Sequence, residues 1–431
     1  MTQRAARISS LLALAVTTAV GAATLAPPAL AAPSPRAERA PHDHAATRAA
    51  LRDLVEEGGL PGVAAQVRDG GENWYATAGH ADTATGRERT PGDHFRGASI
   101  TKTFIATVLL QLEAEGRLSL DDSVESWLPG LVHGNGYDAD RITLRSLLNH
   151  TSGIANHTSD PAFVHDAAGP GFPEHRYDTH TPEELVAVAL KYPPQPDPQK
   201  APLYSNTNFV IAGMVIEKAT GHSYAQEVTR RIIRPLGLRG TSFPGTSPRM
   251  PDPHPVAYSR FHQDAPDAEI HDATEQNMTW LGASGDVIST TGDLNRFQHA
   301  LLHGRLLPGA QLKEMLDEIP SGDGTGFGLG LEFAQLSCGV KVVGKSGRTN
   351  GSLSAMVGTQ DGKHQLTFNI NGDWLENGAL YVNVIEAEFC GAAPTATAKA
   401  TPSTAFLPAA THGPARRAGG PSHFDVSAAA R

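Results

Sequence analysis

The sequence predicts an α+β fold. An antiparallel sheet is flanked by helices, and an all-helical lobe is inserted between strands from the two ends of the chain. Three observations carry this. Residues 63–68 and 73–78 are short strand-like runs joined by Asp69-Gly70-Gly71, a hairpin signal. From Thr101 to Leu302 the apolar spacing is helical, interrupted by Pro/Gly-rich loops at 169–173 and 193–202. From Gly326 the period falls to 2, giving antiparallel strands at 326–334, 340–344, 352–359 and 365–371, with turns such as Asp361-Gly362.

Arg4 and Arg7 precede an apolar run from Leu11 to Leu25 and the small-x-small triplet Ala29-Leu30-Ala31. This reads as a secretory signal peptide over residues 1–31, cut near Ala31 or Ala32. The run is short of the roughly 20 apolar residues that a spanning helix needs. Residues 32–45 are rich in Pro, Ala and charge and read as a disordered leader that includes His42 and His44. A first helix is expected at 46–57, ended by Gly58-Gly59. The helix expected at 101–115 presents Phe104, Ile105, Val108, Leu109 and Leu112 on one face and closes at Gly116. Further helices fit 143–149, 182–191, 208–220, 224–233, 291–302 and 377–389. The folded domain is thus expected at 46–390, followed by an Ala/Pro/Thr-rich tail over 391–431 with too few large apolar residues to fold.

The 431 residues carry 35 Lys and Arg against 45 Asp and Glu, a mildly acidic balance without a basic run. That argues against nucleic acid or an anionic membrane surface as partner. No segment after the leader is long and apolar enough to span a bilayer. The two cysteines, Cys338 and Cys390, are expected to bond in an exported chain, with two buried thiols as the alternative. A monomer is expected.

Three stretches far apart in the chain carry parts of one reaction: Ser99-Ile100-Thr101-Lys102, Tyr204-Ser205-Asn206 and Lys345-Ser346-Gly347. Ser99 stands at or near a helix start, with Lys102 one turn on along the same face. A serine hydroxyl needs a base to take its proton. Lys102 qualifies only when neutral, and burial or a second cation such as Lys345 lowers its pKa from about 10.4. Tyr204 can pass a proton as base and then acid. Asn206 can hold both Lys102 and a substrate amide. That triplet is expected in a loop, with Ser205 turned away. Lys345 brings charge, Ser346 a hydroxyl, and Gly347 a close approach of ligand to backbone. The N–H groups of Arg348 and Ser99 are candidates for an oxyanion hole. Taken singly, each stretch has a plain structural explanation as a helix cap, a turn or a strand end. In this order together they point to serine acyl transfer without histidine. His150 is expected to pack and hydrogen-bond the loop after its helix. No metal or organic cofactor is expected.

The three motifs resemble those of the penicillin-recognising serine hydrolases. Within these the chain is most similar to secreted D-alanyl-D-alanine carboxypeptidases of the class C β-lactamase type. The stretches Phe95-Arg96-Gly97-Ala98-Ser99, Leu147-Leu148-Asn149-His150-Thr151-Ser152-Gly153, Tyr204-Ser205-Asn206-Thr207-Asn208-Phe209 and Gly282-Ala283-Ser284-Gly285-Asp286-Val287-Ile288-Ser289-Thr290 agree, and the similarity runs from about residue 46 to Cys390. The resemblance implies that Ser99 is acylated, that Lys102 and Tyr204 move the proton, and that the Lys345 strand lines the substrate edge. It also implies that Trp280 walls the pocket and that Cys338 bonds Cys390. A peptidoglycan stem peptide or another small acyl group is the implied substrate, and β-lactams are implied covalent ligands.

Two departures stand out. Those carboxypeptidases have His-Thr-Gly where this chain has Lys345-Ser346-Gly347. They also place an arginine shortly before this strand to clamp a terminal carboxylate, where this chain has Glu332. Either Lys345 or Arg348 supplies the cation, or the substrate lacks that carboxylate. The expected activity is a D-Ala-D-Ala carboxypeptidase or transpeptidase. The alternatives are a class C-like β-lactamase or esterase, a D-amino-acid amidase or aminopeptidase, and a non-catalytic wall-peptide binder.

Overall fold

The computed structural model describes residues 43–195, 202–261, 263, 267–321 and 324–391. The signal-peptide segment, the leader up to residue 42, residues 196–201 and the tail from 392 lie outside the described residues. The strands in chain order are β1 (Gly62–Asp69), β2 (Glu72–Gly79), β3 (Phe95–Ala98), β4 (Tyr258–Ser259), β5 (His271–Asp272) and β6 (Val287–Ser289). They continue with β7 (Ile319–Pro320), β8 (Thr325–Phe327), β9 (Glu332–Gln335), β10 (Lys341–Thr349), β11 (Ser352–Thr359) and β12 (His364–Ile370). Eight of them form one antiparallel sheet in the order β2-β1-β12-β11-β10-β9-β8-β7.

The two ends of the domain meet in this sheet, with Val63 of β1 opposite Ile370 of β12. One face is covered by the helices Ala45–Glu56 and Gly378–Cys390. There Leu51, Leu54, Leu366, Phe368, Tyr381 and Ile385 form an apolar core. The other face is covered by the helix Thr291–Leu302, which bonds the sheet backbone from Asn295 Nδ2 to the Gln66 carbonyl at 2.9 Å and from Gln298 Nε2 to the Val343 carbonyl at 2.9 Å. Sheets covered on both faces bury the polar positions as well. Thr367, on the polar face of β12, accordingly donates to Asn295 Oδ1 at 2.8 Å.

A second core surrounds the helix Thr101–Ala114. Eleven of its fourteen residues are buried, so it runs through the middle of the lobe rather than along its surface. Its hydroxyls are satisfied internally, Thr103 by the Gly330 carbonyl at 2.8 Å and Thr107 by the Thr103 carbonyl at 2.7 Å. Among the described residues, the inserted lobe is helical apart from two small ribbons, β3 with β6 and β4 with β5.

Several boundaries differ from the sequence expectation. The strand expected at 326–334 is a hairpin, β8 and β9, because Gly330 turns the chain at φ 70°. A side chain there would lie 2.7 Å from Ala106 Cβ and 2.8 Å from the Lys102 carbonyl, so only glycine fits. β10 runs through the Lys345 motif instead of ending before it. Asn206 is the first residue of the helix Asn206–Thr220 and does not lie in a loop. His44 is not a solvated leader residue. Its ring stacks on Trp74 at 4.5 Å, and its Nδ1 lies 3.1 Å from the buried Glu388 carboxylate, which also takes Thr47 Oγ1 at 2.6 Å and His364 Nε2 at 2.7 Å. A carboxylate held out of water needs those partners. The Cys338–Cys390 bond forms, tying the turn before β10 to the last helix across Cα atoms 5.7 Å apart.

Candidate active site

Ser99 sits on the two-residue turn between β3 and the buried helix. β3 is held by β6, with Phe95 opposite Ser289 and Arg96 opposite Ile288. The chain then swings through Ala98 at φ 45°. Ile100 holds the cap position of the helix that follows, and the Ser99 hydroxyl bonds the side chains of Lys102 and Tyr204. The first helical turn is laced to β6 by Thr101 Oγ1, which accepts from the Val287 N–H at 2.9 Å.

Lys102, Tyr204 and Asn206 all converge on this turn. Lys102 is fully buried, and its Nζ lies 3.0 Å from Ser99 Oγ. Nζ also donates to Asn206 Oδ1 and to the Ser284 carbonyl, each at 2.7 Å. Burial, then the Lys345 cation, holds the Lys102 ammonium well below its ordinary pKa, with Glu332 opposing. A neutral amine has two N–H groups and one lone pair. The two carbonyl oxygens take the N–H groups, which leaves the lone pair for Ser99 Oγ. Tyr204 donates to Ser99 Oγ at 2.7 Å, and burial raises its phenol above the usual range, so it stays protonated. The arrangement can therefore draw the serine proton to Lys102 and supply one from Tyr204.

Lys345 is buried on β10, where its Nζ lies 5.2 Å from the Tyr204 ring centre, against 4.9 Å for Lys102 Nζ. It forms an ion pair with Glu332. The same carboxylate accepts from the Ser346 N–H at 3.0 Å and from Ser346 Oγ at 2.9 Å. Strand register brings this about: Gly344 faces Glu332 across β9 and β10, one residue short of Lys345. Burial lowers the Lys345 pKa and Glu332 opposes that shift. At Gly347 a Cβ would lie 2.1 Å from the Gly97 carbonyl, so β10 passes tight against β3 just before Ser99.

The remaining expected residues lie at the margins. Arg348 Nη2 donates to the Asp373 carbonyl at 3.0 Å, in the loop after β12. Trp280 is 3 % exposed and packs with Ala167, Ala168, Met278 and Leu281, and its carbonyl lies 3.0 Å from His157 Nε2. His150 packs as expected. Its ring lies 4.4 Å from that of Tyr204, and its Nδ1 accepts from the Ser205 N–H at 3.2 Å, which requires a neutral ring. Burial, then Lys102 and Lys345, pushes its pKa well down. Three contributors to the site were missed in the sequence: the Ser284 carbonyl on Lys102, the ion pair formed by Glu332, and the turn Asn156-His157-Thr158 behind Asn206. The Gly282–Thr290 stretch marked the first only as a region, and no local pattern signals the other two.

Comparison with known proteins bears on this site directly. The family description that matches is Beta-lactamase, over residues 47–375. The chain belongs to the beta-lactamase family. Its members are serine hydrolases, and this family member carries a Ser-Lys-Tyr cluster of that chemistry, with the lysine fully buried and the serine and tyrosine partly exposed. Among solved structures it is similar to a D-stereospecific amidohydrolase from Streptomyces sp., at 52 % identity and a TM-score of 0.76, covering 81 % of this chain and 100 % of that one. It is also similar to the D-amino acid amidase from Ochrobactrum anthropi SV3 complexed with D-phenylalanine, at 28 % identity and a TM-score of 0.68, covering 79 % of this chain and 97 % of that one. Among curated relatives, a putative penicillin-binding protein, PbpX, from Bacillus subtilis (strain 168) is 27 % identical over 286 residues. That match spans 66 % of this family member and 65 % of the relative's own length.

Proposed function

We propose that this serine hydrolase is a D-stereospecific amidohydrolase. It transfers the acyl group of a D-aminoacyl amide, ester or short peptide to Ser99 and then to water or an amine. The observation that carries the reading is the Glu332–Lys345 ion pair, reinforced by Ser346. A carboxypeptidase needs a cation for the terminal carboxylate of its substrate, and here the Lys345 charge is already matched. A substrate whose leaving side ends in an amide or ester suits a neutralised edge. Similarity to a D-stereospecific amidohydrolase and to a D-amino acid amidase supports the same reading.

In this mechanism Ser99 Oγ attacks the carbonyl carbon while Lys102 takes its proton. The C–N bond breaks, and the proton returns by way of Tyr204 to the leaving nitrogen. Water then attacks the ester, with the same pair running in reverse. Lys345 and Ser346 line the leaving-group side, and Trp280 backs the acyl side. β-Lactams acylate the same serine. The Cys338–Cys390 bond supports action in an oxidising compartment after export.

The test is turnover of D-phenylalaninamide, L-phenylalaninamide and an acylated D-Ala-D-Ala peptide by the parent protein and by Ser99→Ala. Ammonia released from the D-amide, little from the L-amide and none with Ser99→Ala is the expected result. D-Alanine released from the peptide without D-amide turnover would restore the carboxypeptidase reading.

A further inference from the structure

The orientation of the Asn206 amide decides where the Lys102 lone pair points. With Oδ1 toward Nζ, Asn206 takes an N–H from the amine and leaves the lone pair to Ser99. Turned over, the amide would offer an N–H to Nζ and compete with Ser99 for that lone pair. Something must hold the amide in the first orientation.

A chain of donors and acceptors does so, beginning at the backbone. Asn156 Oδ1 accepts from two main-chain N–H groups, Asn206 at 3.0 Å and Thr158 at 3.4 Å. Only an oxygen can do that, so the Asn156 side chain has one permitted orientation. Thr158 Oγ1 lies 3.1 Å from this oxygen and must donate its proton to it. The threonine oxygen then has only lone pairs for its neighbour. Asn206 Nδ2 donates to them at 2.9 Å, and Oδ1 is left facing Lys102. All three side chains are nine-tenths buried or more, so water does not substitute for any of them. His157, between Asn156 and Thr158, braces the turn: its Nδ1 lies 3.0 Å from Thr207 Oγ1 and its Nε2 3.0 Å from the Trp280 carbonyl.

We propose that Asn156 and Thr158 are positioning residues for the reaction: they lock the Asn206 amide so that the lone pair of Lys102 is aimed at Ser99. Neither touches the substrate. The inference rests on acyl transfer at Ser99 and is independent of which acyl group is preferred.

Thr158→Val keeps the shape and removes the acceptor, so the two amide orientations become comparable in energy. Thr158→Ser keeps the hydroxyl. The assay is the rate of Ser99 acylation by p-nitrophenyl acetate, followed by intact mass and p-nitrophenol release from pH 5 to 10. Acylation of the parent protein tests the acyl-transfer reading, and the ratio of variant to parent tests the lock. Thr158→Val is expected to acylate roughly 10²-fold more slowly, the scale of a misaligned reacting group. Its acid limb should move to lower pH, because the Lys102 ammonium loses an acceptor while Lys345, Glu332, His150 and Tyr204 still surround it. Thr158→Ser is expected to match the parent in both rate and pH profile. Thr158→Val with parental rate and profile, or Thr158→Ser as slow as Thr158→Val, would overturn the proposal, the second outcome assigning Thr158 a packing role.

Discussion

Replacing Glu332 by glutamine separates the charge at this site from its shape. Lys345 and Glu332 have side chains 3 % and 13 % exposed, so neither is rescued by bulk water. Breaking a buried pair from one side costs about 3–5 kcal/mol, because the partner charge is stranded. Glutamine keeps an acceptor for the Ser346 N–H and hydroxyl, bonds of 3.0 and 2.9 Å in the parent, but charge-assisted bonds contribute roughly 1.5–3 kcal/mol against about 0.5–1.5 for neutral ones. The loss has a ceiling, since Lys345 can shed its proton. We expect Glu332→Gln to lose about 3 kcal/mol at pH 7. Without the carboxylate that opposes burial, the folded-state pKa of Lys345 drops further below its unfolded value of about 10.4. Across that window the unfolded chain binds more protons than the folded one, so the stability of the variant rises with pH and its deficit narrows toward pH 10. Urea unfolding at pH 7 and pH 10 of the parent, Glu332→Gln, Lys345→Met and the double variant gives the coupling energy. A coupling under about 1 kcal/mol, or a deficit independent of pH, would refute the reasoning. The freed lysine should also raise D-alanine release from a D-Ala-D-Ala peptide relative to amide turnover.

Two further outcomes follow from the geometry. Gly347→Ala puts a methyl 2.1 Å from the Gly97 carbonyl, a backbone atom that cannot step aside without moving the strand that leads into Ser99, so kcat/KM should fall by roughly 10²-fold or more; near-parental turnover would mean that β10 and β3 are not held this close. Asp286 lies two residues beyond the Ser284 carbonyl that holds Lys102, and burial raises its pKa from 3.8 to about 7. The folded protein thus binds more protons than the unfolded chain between these values, and stability falls by about 4 kcal/mol as pH rises through that window. Asp286→Asn, which can still accept from Tyr224, should remove most of this slope in denaturant midpoints measured at pH 4, 5.5 and 8. An unchanged slope would assign it to other groups.

What could be read from the sequence depended on how local its cause was. The β1–β2 hairpin, the helix after Ser99 and the strands from Ser352 onward follow from period and turn residues within a few positions. The Ser99–Lys102 pair follows from one helical turn. β3 left no such trace: it is four residues long, contains Gly97 and ends at a left-handed Ala98. The start of the helix at Asn206 was hidden for a different reason. Ser205 holds the cap position, with its Oγ donating to the Ala155 carbonyl at 3.1 Å instead of capping, and Asn206, Thr207 and Asn208 are cap-type residues too, so the sequence offers several starts of equal standing. The Glu332–Lys345 pair needs the register of β9 against β10, which the Gly330 turn sets, and that turn is shaped by contact with the helix of Lys102. A residue pair fixed by a third element has no signature in its own neighbourhood.

That dependence explains why one carboxylate matters twice here. Two lysines are buried within about 5 Å of the same phenol ring, at 4.9 and 5.2 Å from its centre. A low-dielectric site does not hold two unpaired ammonium groups beside one ring, so one must be neutral. Glu332 decides which. It bonds Lys345, so the charge settles there, and burial, then that charge, drives the proton from Lys102. The environments of two like groups are thereby pushed apart until one serves as cation and the other as base. The same bond satisfies the cation that a substrate carboxylate would otherwise need. Under the proposed amidohydrolase reading, selection of the base and rejection of a carboxylate-ended substrate are two consequences of one ion pair. Glu332→Gln should therefore change both the acid limb of the acylation profile and the preference between amide and peptide, where a change confined to the leaving-group pocket would move the second alone.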